Sequence, residues 1–309
     1  MSTHPSNPFR EYADHARSAA TVRAYRSDWR DFQAFAGDEA LPASPETVAA
    51  YLADRARTLK PATLSRRLVA IAEAHRAAGH DTPTRHPTVT ETFRGIRRSL
   101  GVAQQGKAPI TLVHLQRIVE TLDDSLTGLR DRALILVGFA GAFRRSELAA
   151  LDLEDLAEHP EGIAIRVRRS KTDQEGRGTE KGIPYHPRAE LCPVRALAAW
   201  VEAAGISGGP LWRSVDRHGH VGQERLHPAS VNGVVKRSLE RAGVDPEKYG
   251  AHSLRAGFVT AAWEGGLSEL EIAEQTGHRS LQVLRGYIRS RSPFRRNAAA
   301  RLFGLSDPA

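Results

Sequence analysis

The chain has 309 residues, 40% hydrophobic and 26% charged, proportions of a soluble globular protein with length enough for two domains. No window approaches the roughly 18 unbroken apolar residues of a membrane span, "MSTHPSNPFREYADHARS" at the start has no apolar signal core, and Cys192 as the single cysteine excludes an intramolecular disulfide, so a cytoplasmic protein is expected. The net charge of +8 is carried by 38 arginines against six lysines, and arginine's planar fork suits phosphate, so a polyanionic partner is the first expectation.

The first hundred residues read as helices. In "TVRAYRSDWRDFQAFAG", Val22, Tyr25, Trp29, Phe32 and Phe35 recur at intervals of three and four, one apolar stripe. "SPETVAAYLADRAR" opens with Ser44 as cap and Pro45 at the first helical position. A third helix starts at Pro61 and stops at Gly79. Its stripe is Leu64, Leu68, Ile71 and His75, which turns Arg66 and Arg67 outward. A fourth helix, "VTETFRGIRRSL", carries Arg94, Arg97 and Arg98. "GVAQQGKAPIT" then loses all periodicity, and the expected division is a helical domain over 1–100, a linker over 101–110 and a second domain over 111–309.

The second domain opens with a short helix capped by Thr111. Leu134 to Phe139 is apolar on every side, as in a buried central helix, and Ser146 is a candidate cap for the helix that follows. In "GIAIRVRRSK", Ile163, Ile165 and Val167 alternate with Ala164, Arg166 and Arg168, a strand pattern; "TDQEGRGTEKG" reads as the turn and "IPYHP" as the returning strand. From residue 189 onward the pattern is helical again, interrupted around "GISGGPLWRSVDRHGHVGQERL". The expected class is mainly α with a small antiparallel β-sheet.

Several chemistries have no signature here: there is no phosphate-binding glycine loop, no G-x-S-x-G elbow and no Cys/His zinc spacing. His218, His220 and His227 sit in a glycine-bearing stretch and read as solvated, so no metal site and no cofactor are expected. What remains is a set of phosphate-seeking groups. Arg144 lies between two helices with Glu147 three residues on, Lys171 where a strand runs into a loop, His252 and Arg255 three apart in "AHSLRAGF", and His278 and Tyr287 nine apart in "TGHRSLQVLRGYIRS". Singly, each has a bland reading as a helix-end charge, a solvated strand end, a cap or a core aromatic.

In this order they resemble the tyrosine recombinase (phage integrase) family. "GAFRRSEL" is similar to its first arginine box, "RRSKT" to its β-hairpin lysine motif, "HSLR" to its His-x-x-Arg box and "TGHRSLQVLRGYIRS" to its closing box; the likeness spans roughly residues 10–305. Thr276 and Ala256 stand where Xer-like members often have Leu and His, and His278 where Cre has Trp. The resemblance implies a two-domain, C-shaped clamp of the Cre and Xer sort, acting without metal or ATP. Its implied activity is site-specific recombination through a 3′-phosphotyrosyl intermediate on Tyr287. Arg144 and Arg255 would bind the non-bridging phosphate oxygens with His252 and His278 as further donors, Glu147 would hold Arg144, and Lys171 would protonate the leaving 5′-hydroxyl.

The implied partners are double-stranded DNA bearing an inverted-repeat recombination site and a homotetramer formed on it. That tetramer would be joined through a C-terminal tail in which Ala298, Leu302, Phe303 and Leu305 form an apolar patch; off DNA the chain would be a monomer or weak dimer, located with the nucleoid. Arg66, Arg67, Arg94, Arg97 and Arg98 are the expected DNA contacts of the first domain. The alternatives are DNA relaxation of the type IB topoisomerase kind and a catalytically silent DNA-binding regulator of the same fold.

Overall fold

The computed structural model describes residues 19–101, 106–168 and 178–288, together with 299, 302 and 303. The chain divides into two compact units, 1–105 and 106–309. The first unit contains α1 (Ala19–Ala36), α2 (Pro45–Arg55), α3 (Pro61–Ala77) and α4 (Pro87–Leu100). Proline opens the last three, where its missing N–H costs nothing, and the Ser44 hydroxyl accepts from the Thr47 N–H. Phe32, Val48, Tyr51, Leu52, Leu64, Ile71 and Val89 are buried together. His75 belongs to this core: its Nε2 accepts from Ala43 N–H at 2.9 Å while Nδ1 lies 2.8 Å from the Ile71 carbonyl, which satisfies the ring inside an apolar stripe.

Of the arginine pair on α3, Arg66 is exposed as the sequence predicts and Arg67 is not. Arg66 makes a two-pronged bond to the buried Asp28 at 2.7 and 2.9 Å. Arg67 does not face outward; its side chain is 13% exposed, bonds Asp31 and Tyr51, and lies against the Tyr51 ring. The cause is tertiary: Asp28 and Asp31 sit on α1, one turn apart, and Asp31 with Tyr51 draws the Arg67 guanidinium inward. Arg94, Arg97 and Arg98 on α4 are exposed and, among the described residues, form no ion pair.

The second unit is built around α6 (Leu126–Ala140), buried on nearly all sides. It packs with α8 (Pro193–Ala203) and α10 (His252–Glu264). Residues expected in the linker belong to this unit: Ala108 N–H donates to Lys248 O and Ile110 N–H to Ser253 O. The remaining helices are α5 (Leu112–Glu120), α7 (Arg145–Ala150), α9 (Pro228–Arg241), α11 (Glu269–Thr276) and α12 (Leu281–Arg285).

One antiparallel sheet runs β1 (Leu156–His159), β2 (Gly162–Val167) and β3 (Thr179–Pro184), with Ile163 opposite Ile183 and Ile165 opposite Lys181. A two-stranded hairpin, β4 (Arg213–Val215) and β5 (Val221–Arg225), fills the stretch that breaks the helical pattern. Asp216 caps its turn by accepting the His218 and His220 N–H groups and bonding His220 Nδ1.

Two expectations are corrected here. β3 begins at Thr179, not at Ile183, because the inward positions are Lys181 and Ile183 and a buried lysine does not read as strand alternation. Ser146 does not cap α7; the Glu147 carboxylate reaches back to the Arg144 N–H at 2.9 Å instead.

Candidate active site

Five of the six expected catalytic residues lie within described segments of the second unit, and the structure brings them together. Lys171 lies outside the described residues. Arg144 stands at the start of α7, held by Glu147, which takes both its backbone N–H and, at 2.6 Å, its Nη1. The turn before it is tight. Ala142 has φ 46°, the one non-glycine positive φ among the described residues, and a Cβ on Gly141 would fall 2.1 Å from the Phe143 ring. Strain of this kind persists only where surroundings over-determine the backbone.

Those surroundings are three polar side chains, each bonded to a successive carbonyl of the turn. Gln275 Nε2 donates to Ala140 O at 3.0 Å, Lys181 Nζ to Gly141 O at 2.7 Å and Arg255 Nη1 to Ala142 O at 2.7 Å. Two of the three continue to the end of α11: Lys181 also bonds Gln275 O, and Arg255 Nη1 bonds Thr276 O at 2.6 Å. Two buried cations thus rivet the turn that sets Arg144 to the turn that sets His278, using carbonyls that helix ends leave without intrahelical partners. Lys181 was not singled out from the sequence; its signal is its place opposite Ile165 in the sheet register, which only strand pairing supplies.

Arg255, on the first turn of α10, is 1% exposed. With Nη1 occupied by two carbonyls, Nη2 lies 3.1 Å from His278 Nε2 and Nε has no partner among the described residues. A buried donor without an acceptor is costly. Gly277, at φ 68°, ends α11 in the left-handed conformation and turns His278 back onto Thr276 and Arg255.

Tyr287 follows α12, whose Leu284 is buried with Val259, Ala262 and Ile272. Arg285 on the same helix makes a forked bond to Glu269 at the start of α11. So placed, the Tyr287 hydroxyl lies 2.6 Å from His252 Nε2, and its ring centroid is 5.3 Å from that of His278. Burial first, then the charges of Arg255 and Arg144, keep His252 below the ordinary histidine value and bring His278 down to about 3. Both rings are therefore neutral at pH 7, and the Tyr287 hydroxyl and His252 Nε2 share one hydrogen bond whose direction follows the His252 tautomer. Burial also lowers Arg255 to about 10, with Arg144 adding to it, and lowers Lys181 to about 7, with Arg255 adding to it.

At the other end of the sheet edge, Arg168 holds Asp155 at 2.5 Å and Asp152 at 2.8 Å, which fixes the end of β2 where the chain leaves for Lys171. No helix among the described residues is long and apolar enough to cross a membrane.

Comparison with known proteins identifies the family. The profile of the phage integrase family matches residues 110–292, and that of the phage integrase N-terminal SAM-like domain matches residues 9–80. An integrase/recombinase xerD homolog of Selenomonas ruminantium is 41% identical over 290 residues, 92% of this chain and 85% of its own length. The tyrosine recombinase XerD of Caulobacter vibrioides is 29% identical, with 89% of this chain and 87% of that one covered. Among solved structures, the Tn1549 transposon integrase in complex with transposon right-end DNA superposes with a TM-score of 0.66 at 13% identity, covering 94% of each chain. A lambda integrase dimer bound to a COC′ core site gives 0.63 at 16% identity, covering 92% of this chain and 93% of that one. These two identities speak for the fold alone, whereas the first profile spans more than half of the sequence and the 41% relative nearly all of it. The chain belongs to the phage integrase family.

Proposed function

We propose that the protein is a site-specific DNA recombinase that cuts and rejoins strands through Tyr287. One observation carries this reading: a tyrosine hydroxyl 2.6 Å from a neutral histidine nitrogen, beside a buried arginine with an unpartnered Nε. A phenol is a weak nucleophile until its proton is drawn off, and His252 Nε2 is placed to take it. The phenolate oxygen attacks phosphorus, the P–O5′ bond breaks, and the 5′-oxygen leaves with a proton supplied by Lys171. Arg144 and Arg255 hold the non-bridging oxygens as charge grows on them. The product is a 3′-phosphotyrosyl ester, whose bond energy is kept for attack by the 5′-hydroxyl of a partner strand, so the cycle balances on protein groups without nucleotide or metal.

Exposed Arg94, Arg97 and Arg98 supply phosphate or groove contacts in the first unit. Leu302 and Phe303 are 82% and 74% exposed. The second unit carries an apolar groove lined by Leu112, Val113, Leu136, Phe139, Phe258 and Leu267. An exposed apolar tail and an apolar groove support assembly of a tetramer on paired sites by tail exchange between copies.

The test uses sheared genomic DNA of the host, detergent denaturation and recovery of protein-linked DNA. Wild type retains DNA covalently; Tyr287→Phe retains none while still shifting DNA in a native gel. An adduct of wild-type yield from Tyr287→Phe overturns the reading.

A further inference from the structure

Thr276 stands where Xer-like sequences often have leucine, and its side chain is buried at the end of α11. Its Oγ1 lies 2.6 Å from Ile272 O and 2.6 Å from His278 Nδ1. The hydroxyl has one hydrogen for these two contacts. A carbonyl can only accept, so at 2.6 Å the hydrogen must lie between Oγ1 and Ile272 O; otherwise two oxygens would face each other with lone pairs alone. Oγ1 is then the acceptor toward His278, and Nδ1 carries the ring hydrogen.

The other end of the chain agrees. Arg255 Nη2 can only donate, and it lies 3.1 Å from His278 Nε2, nearer than to Nδ1 at 3.4 Å, which the threonine already occupies. The hydrogens therefore run one way, from Arg255 Nη2 to His278 Nε2 and from His278 Nδ1 through Thr276 Oγ1 to Ile272 O. A donor-only group begins the chain and an acceptor-only group ends it, so every hydrogen has one position. The ring must be neutral to accept from Arg255, in keeping with the low proton affinity that burial and Arg255 impose on it.

We propose that Thr276 is a positioning residue: its hydroxyl fixes His278 as the Nδ1–H tautomer, and through His278 Nε2 it sets the guanidinium plane of Arg255 before the phosphate arrives. The inference rests on the proposed function for the use of Arg255 but not for the tautomer itself. Without the hydroxyl, Nδ1–H loses its acceptor in a buried place and the Nε2–H tautomer becomes competitive. That tautomer turns a donor toward Arg255 Nη2, which then loses its partner. Thr276→Val removes the hydroxyl at almost constant volume, and Thr276→Ser restores it.

The experiment reads ring nitrogens by NMR in the full-length protein with ¹⁵N-labelled histidine, the His278 signals being assigned with His278→Gln. In wild type and Thr276→Ser, Nδ1 is expected as the protonated, pyrrole-like nitrogen and Nε2 as the pyridine-like one; in Thr276→Val the two are expected to average or exchange roles. On a nicked suicide DNA substrate, single-turnover cleavage by Thr276→Val should slow about tenfold, the loss of one buried hydrogen bond, with DNA affinity unchanged and Thr276→Ser close to wild type. A pyrrole-like Nε2 in wild type overturns the assignment. Normal cleavage by Thr276→Val, or slowed cleavage with an unaltered tautomer, overturns the positioning role. If no variant and no wild type forms a DNA adduct, the proposed function fails while the tautomer is still read.

Discussion

The arginines around Asp28 and Asp31 and the buried cations behind Arg144 are held in opposite ways. In the first, Arg55, Arg66 and Arg67 end on the carboxylates of Asp28 and Asp31, so each charge is met by an opposite one. In the second, Arg255 and Lys181 end on backbone carbonyls of Gly141, Ala142, Gln275 and Thr276. Carbonyl dipoles satisfy hydrogen bonds but do not cancel a charge. The positive field that adds to burial in keeping His252 and His278 neutral is the visible result. What a cation is bonded to separates a charge cancelled by a carboxylate from one left unbalanced beside the histidines.

The sharpest way to break this contrast is to remove one arginine partner on each side. Arg255→Ala should slow cleavage by about 10²–10³ in single turnover, as for loss of a preorganised transition-state donor, with a far smaller effect on binding. Asp28→Asn, which removes the forked partner of Arg66, should lower stability yet leave the cleavage rate of bound protein within about twofold, because this group stabilises a core and touches no reacting atom. Equal loss of cleavage in both variants would erase the distinction.

Lys181→Met sharpens it next. The substitution leaves two buried carbonyls without their donor and should cost about 1–3 kcal/mol in denaturant unfolding. The pH response carries a sign. Burial holds Lys181 near 7 in the folded chain, against 10.5 as the ordinary value. Between those values the unfolded chain binds more protons, so wild-type stability gains from this group as pH rises from about 7 to 10.5 and loses the gain on acidification. Lys181→Met should show a flatter profile over that window; an identical slope in both proteins would contradict the buried charge.

The smallest expected effect separates exposed from paired arginines within the first unit. Arg94→Ala, Arg97→Ala and Arg98→Ala should each reduce the slope of log affinity against log salt by about 1 if each meets a phosphate, whereas Arg67→Ala should leave the slope unchanged and reduce stability instead.

Much of this was legible in the sequence because it rests on local spacing. The apolar stripes of α1 and α3, the all-apolar face of α6 and the alternation of β2 follow from periodicity, and Arg144, His252, Arg255, His278 and Tyr287 from polar types in a fixed order. The rest depends on partners distant in sequence. Arg67 lies on the flank of its helix, and nothing in "SRRLVA" shows that Asp31, 36 residues earlier, draws it inward. Lys181 sits in a stretch rich in glycine and charge that reads as turn, and only pairing with Ile165 makes it an inward strand position. β4 and β5 escaped because "RSVDRHGHVGQER" has few apolar residues to alternate. The role of Thr276 was hidden for the same reason: a threonine near a helix end is unremarkable until a histidine nitrogen and a carbonyl are found on either side of its oxygen.

The central claim is that Tyr287 becomes covalently joined to DNA. The direct measurement is to trap the wild-type complex with denaturant, digest protein and DNA, and locate the nucleotide by mass spectrometry. One modified peptide is expected, with a 3′-phosphonucleotide on Tyr287. A nucleotide on any other residue, or a 5′-phosphate linkage, would contradict it.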